Sequence, residues 1–467
     1  MINKNEEYVV EILDNGIDGE GIAKIDGYTI FIDGAIKGEK VKTLIVKANK
    51  TFGYGKILEI IEKSPERVEP LCPVYKKCGG CALQHMSYEA QMRYKEEKVK
   101  KTLEKFLDLG TSFKSPIIAT DYANSNQKKP IFEPIIGMGI PYNYRNKAQY
   151  PCQNGMIGFY SPRTHSLVEN DYCFIQDEEA DKLAKKAFNM LKEFGNTCYD
   201  EKSGNGILRH IMTRVGKNSG ELMLVIVTNG KEIIEKEKFV SIISKEFPNL
   251  KSIVQNINNE ATNIIMGKKC ITLFGKDYIV DTLGEYNFKI SPLSFYQVNP
   301  VQTEALYNTA IEMAELDGTE TAFDLYCGIG TISTFLSSKC KKVYGVEIVP
   351  EAIEDAKENA LINDISNVEF ICGAAEKIIP EMYEKENVKA DVVFVDPPRK
   401  GCDKALLDTI IQMKPEKMVY ISCNVATLGR DLQYLSQNGF ELLRVQPVDM
   451  FPQTAHVETI ALIHQKS

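Results

Sequence analysis

Thr321-Ala322-Phe323-Asp324-Leu325-Tyr326-Cys327-Gly328-Ile329-Gly330-Thr331 reads as a strand that runs into a tight glycine turn and then a helix. Glycines at such a turn let the backbone approach a ligand at the carboxyl edge of the strand. The next strand, Val343-Tyr344-Gly345-Val346-Glu347, ends in an acid. In a doubly wound sheet an acid at that place hydrogen-bonds ribose hydroxyls. A dinucleotide fingerprint needs a third glycine, and Ser333 stands there instead. Two glycines suffice where no pyrophosphate is held, which favours S-adenosylmethionine over NAD.

The same sheet edge recurs further along. Asp391-Val392-Val393-Phe394-Val395-Asp396-Pro397-Pro398-Arg399 is an apolar strand that stops at an acid and two prolines. Proline cannot continue a central strand, so this strand end is rigid. It puts Asp396 at the crevice where ligands bind in such sheets. Lys417-Met418-Val419-Tyr420-Ile421-Ser422-Cys423-Asn424 is another strand ending there, and its cysteine faces the same crevice. A lone cysteine is most often an inert apolar group, so position alone does not make Cys423 a nucleophile. From about Leu293 onward strands and helices alternate, the pattern of a parallel α/β sheet.

Outside that half the chain is less explicit. Its 467 residues predict two to four domains, at roughly 100–200 residues each. Apolar and charged fractions of 43% and 26% are those of an ordinary globular protein. The net charge of −8 gives no overall attraction to nucleic acid, so any such interface must be local. No apolar run approaches the roughly 20 residues that span a bilayer. Met1 to Glu7 is polar, without the apolar region of a signal peptide. The expected location is the cytoplasm, with no membrane and no obligate protein partner.

Residues 1–62 alternate apolar and polar positions, as in Tyr28-Thr29-Ile30-Phe31-Ile32, with turns at Asp14-Asn15-Gly16 and Asp26-Gly27. Short strands at this spacing suggest a small β-barrel. Lysines after Gly34 interleave with Phe52 and Tyr54. That mix suits a surface where cations meet phosphates and aromatics meet bases, and a solvated strand face has a similar look. A helix is expected over about Tyr88 to Leu107, and a polar loop over Ser115 to Pro134. From Pro141 to Ser291 strands such as Leu222–Val227 mix with helices such as Glu178–Phe194.

Cys72-x5-Cys78-Gly79-Gly80-Cys81 concentrates three of the twelve cysteines. In a reducing compartment such a group suggests metal ligation rather than disulfides. The glycines let the three sulfurs converge, and a fourth ligand must come from elsewhere. Four thiolates suit zinc or a [4Fe–4S] cluster, and spacing does not choose between them.

Ser422-Cys423-Asn424, with Asp396-Pro397-Pro398-Arg399 before it and His456-Val457-Glu458 after it, resembles the RNA (uracil-C5)-methyltransferase family. The likeness runs over the whole chain and is to the 23S rRNA branch, which has an N-terminal TRAM barrel and a cysteine cluster. It implies an α/β fold: an OB-like TRAM barrel (1–62), a mixed α+β central domain (63–291), and a Rossmann-like S-adenosylmethionine methyltransferase domain (292–467). It implies Cys423 as nucleophile on C6 of a uracil and Glu458 as the base that removes the C5 proton. Gln297, Tyr326, Glu347 and Asp396 match the family's cofactor positions. Cys173 matches the fourth ligand to Cys72, Cys78 and Cys81, and the resemblance implies [4Fe–4S] there, with zinc as the alternative. The implied partner is RNA, most of all 23S rRNA.

Two departures stand out. Val425 occupies a place where the family often has proline, which predicts a looser turn at Cys423. Thr331 stands where a related branch has asparagine, and it is left out of the expected site. A target base must leave its stack to reach Cys423. Tyr142, Tyr144, Arg145, Lys147, Arg209 and His210 are candidates to hold it. Two other readings compete: a tRNA uridine methyltransferase, whose branch generally lacks barrel and cluster, and an iron–sulfur RNA-binding factor without catalysis. Retention of both Cys423 and Glu458 speaks against the second.

Overall fold

The computed structural model describes residues 2–107, 129–164, 166–230, 232–260, 263–386 and 388–466. Most of the expected loop from Ser115 to Pro134 lies outside them.

Six strands open the chain: β1 (Glu7–Glu11), β2 (Asp14–Asn15), β3 (Gly21–Ile25), β4 (Tyr28–Ile32), β5 (Lys40–Ala48) and β6 (Phe52–Glu62). Helix α1 (Tyr88–Leu103) and strand β7 (Ile131–Phe132) follow. The middle holds β8 (Lys147–Gln153), β9 (Met156–Ile157), β10 (Phe159–Tyr160), β11 (Leu167–Val168), α2 (Glu178–Glu193), β12 (Leu208–Val215), β13 (Leu222–Thr228), α3 (Lys236–Glu246), β14 (Leu250–Ile257) and β15 (Lys269–Gly275). A hairpin of β16 (Ile279–Leu283) and β17 (Tyr286–Ile290) leads to α4 (Pro300–Ala314), β18 (Thr321–Leu325), α5 (Thr331–Ser337), β19 (Lys342–Glu347), α6 (Pro350–Ile362) and β20 (Val368–Cys372). Then come α7 (Ala375–Glu386), β21 (Val392–Val395), α8 (Lys404–Met413), β22 (Lys417–Ser422), α9 (Val425–Gln437), β23 (Phe440–Val448) and β24 (Glu458–Gln465).

The first six strands form one sheet in the order β1-β5-β6-β4-β3-β2. Their alternation turns Val10, Ile12, Ala23, Ile30, Ile32, Val41 and Ile45 into a common core, as period-two patterning requires. The middle sheet runs β15-β14-β13-β12-β8-β9. Every residue of β13 is buried because both of its faces are covered.

The C-terminal sheet has the order β20-β19-β18-β21-β22-β24-β23-β7. Strands β18 to β22 are parallel, as the alternation predicts. The chain leaves β18 toward β20 and then returns to β21 on the other flank. A crevice opens at this reversal, beyond the carboxyl ends of β18 and β21. The last pair departs from the parallel expectation. Strand β24 lies between β22 and β23 and is antiparallel to both. A strand that runs backward starts where its neighbour stops, so Glu458 begins at the edge where Cys423 ends.

Two elements of the 63–291 span pack with this sheet rather than with the middle one. Val99 and Leu103 of α1 join the core under β21, β22 and α9. Strand β7 pairs with β23 through Arg444↔Ile131 and Val445↔Phe132, where the sequence reading had only a loop. A two-residue strand carries no periodicity, so its pairing is set by tertiary contact alone.

Candidate active site

A cleft of about 820 Å³ opens at the carboxyl edge of the C-terminal sheet. Gln297, Tyr326, Glu347, Asp396, Cys423 and Glu458 all line it. Six residues drawn from six separate points in the chain thus meet at one crevice.

The glycine turn forms its floor. Tyr326 has a φ of +69°, a region bulky residues seldom enter and one that marks functional turns. The N–H groups of Tyr326 and Cys327 both donate to the Val346 carbonyl at 3.0 Å, which pins the turn to β19. A Cβ on Gly328 would meet nothing within 4 Å, so the backbone there faces open cleft. Glu347 accepts from Gly328 N–H at 3.1 Å and from Val349 N–H at 3.0 Å. A carboxylate has about four lone-pair positions, so Glu347 keeps acceptor capacity for ribose hydroxyls. Beneath the turn, Ser333 Oγ donates to buried Asp324 at 2.5 Å.

Three carboxyls crowd this edge. Burial pushes Asp324 up to about 7. Burial, then the Asp324 charge, pushes Asp396 up to about 7. Burial, then Asp396, pushes Glu458 up to about 8, while the Arg399 guanidinium opposes the rise. Cys423 is half-buried, and its thiol is pushed up to about 11 by burial and by the charges of Glu458 and Asp396. Arg399 again works the other way and favours the thiolate. Two carboxyls near neutrality beside a thiol give the site groups able to exchange protons around pH 7–8.

The Cys423 turn is stiff despite Val425. Ser422 Oγ accepts from Asn424 N–H at 3.1 Å and donates to the Asn424 carbonyl at 3.0 Å. The Asn424 side chain caps α9 through Ala426 N–H and donates to the Arg399 carbonyl. Val425 itself is buried in the core beside α9. Side-chain bonds do here what a proline ring would do at the first helical position.

The sequence reading missed several lining residues. Phe295 is 69% exposed at the cleft mouth, and only its place two residues before Gln297 hinted at it. Thr331, set aside above, lines the cleft and bonds Tyr307 at 3.1 Å. Arg399 and His456 were visible only as letters of longer motifs. Ala374 to Glu376 follow the end of β20, and that strand-end position was their one signal.

The base-holding candidates separate. Arg145 lines the cleft. Tyr144 is buried and donates to the Pro452 carbonyl at 3.0 Å. Arg209 is buried against the carbonyls of Asn258 and Glu260. Neither Tyr142 nor His210 lines the cleft.

Cys72, Cys78, Cys81 and Cys173 line a second cavity, of about 350 Å³, together with Lys147. Gly80 and Arg145 line both this cavity and the cleft, so the two adjoin. Gly79 donates to the Tyr160 carbonyl, and a Cβ on it would meet that oxygen at 2.8 Å. Only glycine permits the approach. Burial raises the Cys81 thiol to about 12 and the Cys173 thiol to about 11. Among the described residues, no three His, Cys, Asp or Glu side chains close on a point that would hold a single metal ion.

Comparison with known proteins decides the family. The profile of the tRNA (Uracil-5-)-methyltransferase family matches residues 241–466, and that of the TRAM domain matches residues 3–58. An uncharacterised RNA methyltransferase of Halalkalibacterium halodurans is 50% identical over 100% of this chain and 98% of its own length. The chain belongs to the RNA (uracil-5-)-methyltransferase family. A second RNA methyltransferase, from Clostridium tetani, is 49% identical over 99% of this chain and 97% of its own. The Pyrococcus abyssi tRNA (uracil-54, C5)-methyltransferase, solved with S-adenosyl-L-homocysteine, shares the fold. Its TM-score is 0.77 at 24% identity, over 98% of this chain and 100% of that one. This RNA methyltransferase therefore carries a TRAM domain ahead of a Rossmann-like sheet. No helix among its described residues is long and apolar enough to cross a membrane.

Proposed function

We propose that this enzyme methylates C5 of a uridine in RNA, with S-adenosylmethionine as donor, through a covalent bond from Cys423 to C6 of the base. The observation that carries the reading is the meeting of Cys423, Glu458 and Asp396 with the glycine turn in one cleft. When bound, S-adenosylmethionine supplies an electrophilic methyl group. Gln297, Tyr326, Glu347 and Asp396 would hold it, and the open backbone at Gly328 leaves room for close approach.

Cys423 must first lose its proton, and the neighbouring carboxylates are placed to take it. The thiolate then forms the Sγ–C6 bond and pushes the C5=C6 electron pair onto C5, which makes C5 nucleophilic. Once C5 has gained its methyl group, the Glu458 carboxylate removes the C5 proton. The C5–H pair restores the C5=C6 bond, and the C6–Sγ bond breaks to return the thiolate. Arg399 supports both anionic forms.

The RNA is proposed to be 23S rRNA, on the combination of barrel and four-cysteine group. Transfer RNA is the second reading. The full-length fold match to a tRNA enzyme favours it, because the N-terminal region then does not separate the two classes. The four cysteines are proposed to hold a [4Fe–4S] cluster. Thiols that line one cavity without converging on a point suit a multi-atom centre better than a lone zinc. The proposed location is the cytoplasm.

One experiment tests the chemistry. Labelled S-adenosylmethionine is incubated with the enzyme and unmodified rRNA or tRNA, and methylated uridines are mapped. Transfer that Cys423→Ala abolishes supports the reading; no transfer to either RNA sinks it. RNA containing 5-fluorouridine should trap the enzyme covalently, because fluorine cannot leave as a proton does. An active enzyme that forms no such adduct has no Cys423–C6 bond. Anaerobically purified protein should be brown, and colourless protein with one zinc rejects the cluster.

A further inference from the structure

The nine residues from Asp449 to Val457 join β23 to β24 and end at Glu458, which pairs in register with Val448. Their hydrogen bonding is unusual. The segment has little regular structure, yet outside donors occupy most of its carbonyls. Gln302 holds that of Asp449 at 3.1 Å, and Asn299 that of Met450 at 2.9 Å. Tyr144 holds that of Pro452. The N–H groups of Ala82 and Leu83, just beyond the cysteine segment, hold that of Gln453.

Helix α1 supplies the largest share. Lys95 and Asp449 form an ion pair with both side chains 0% exposed, 2.5 Å apart, and Lys95 also donates to the Phe451 carbonyl at 3.0 Å. Tyr88 Oη donates to the other Asp449 oxygen at 2.8 Å and accepts from Met138 N–H. Gln91 donates to the Gln453 side chain and accepts from its backbone N–H. Lys98 reaches the Ala455 carbonyl at 2.7 Å. Gln453 stands at a φ of +70°, a conformation that persists where surrounding bonds over-determine it. Desolvating a charge pair costs several kcal/mol per ion, and apolar packing would stabilise the interior as well. What the polar arrangement adds is a fixed address for one segment of backbone.

We propose that Lys95, Tyr88, Gln91 and Asp449 are positioning residues whose task is to hold the loop that presents Glu458 to the reacting base. None of them lines the cleft. The inference rests on the reading of Glu458 as the base that releases the product. It has a distinctive consequence. Loosening the loop leaves Cys423 on its own strand, so addition and methyl transfer proceed. Proton removal slows, and the methylated adduct persists.

The test uses the full chain with Lys95→Met, Tyr88→Phe and Glu458→Gln variants. Ordinary uridine RNA and labelled S-adenosylmethionine are supplied, and covalent protein–RNA complex is followed against released methylated RNA on denaturing gels. The 5-fluorouridine trap is run in parallel. Lys95→Met should trap 5-fluorouridine RNA at close to the wild-type rate. It should release ordinary product roughly 10- to 100-fold more slowly, the scale of a displaced general base. Tyr88→Phe removes one hydroxyl and should show the same imbalance more weakly. It also decides the case if Lys95→Met does not fold. Trapping and release that fall in parallel, or that both stay unchanged, overturn the proposal. If Glu458→Gln itself releases product normally, the base assignment fails and not the positioning.

Discussion

The acid–base character of the site is set by three carboxyls placed too close together and too deep for comfort. Asp324 and Asp396 at about 7 and Glu458 at about 8 are all displaced upward, chiefly by burial. Glu458 acts only as a carboxylate, so product release should rise with pH and level off above about 8; a pH–rate profile checks this. Stability should run the opposite way. A carboxyl raised in the folded state contributes stability at low pH that is lost as pH climbs through its folded value. The melting temperature should therefore fall between pH 5 and 9. Glu458→Gln should melt above the wild type at pH 9, with the gap closing toward pH 5, while product release is lost. A Glu458→Gln protein with the wild-type pH slope would show that this carboxyl bears no such burden. At this scale the sequence was legible where a residue sat at a strand end, as Asp396 and Cys423 do. Arg399 was not, because its effect is a field across space and leaves no spacing to read.

At the scale of elements, the strand–turn–helix unit carries the cofactor half. Gly330 has a φ of +79°, and a Cβ there would meet the Phe370 ring at 2.8 Å and Ala356 at 3.2 Å. Gly330→Ala should cost roughly 1–2 kcal/mol in backbone strain alone, with the ring clash added. Its readout is a weakened affinity for S-adenosyl-L-homocysteine by calorimetry, with trapping of 5-fluorouridine RNA also depressed. Unchanged affinity would mean the turn tolerates movement. The long strands were legible because burial on both faces makes them continuously apolar, as in Val392–Val395. Helix α1 was legible as a helix but not in its role. Its lysines and glutamates look like a solvated face, and Lys95 is nonetheless fully buried. A buried charge paired 354 residues away has no local signature.

At the scale of the molecule, the N-terminal barrel is joined to the rest by polar contacts. Glu39 is fully buried, accepts from Arg67 Nε at 2.5 Å and from Arg67 Nη2 at 2.7 Å, and also accepts from Ile36 N–H. Breaking a buried pair from one side costs roughly 3–5 kcal/mol. Glu39→Ala should expose residues near 63–70 to limited proteolysis and leave the C-terminal sheet resistant. A wild-type cleavage pattern would show that the pair is dispensable.

The arrangement of α1 also has a consequence for how the chain comes into being. Lys95 and Asp449 stand 354 residues apart, and ribosomes add about 5–20 residues per second. Roughly 20–70 s pass between the appearance of the helix and that of its partner, by the same rate. Throughout that interval the lysine and the apolar face of α1 wait without their counterpart. The emerging polypeptide is thus a client for chaperones at its front end, and its active centre is among the last things synthesis completes.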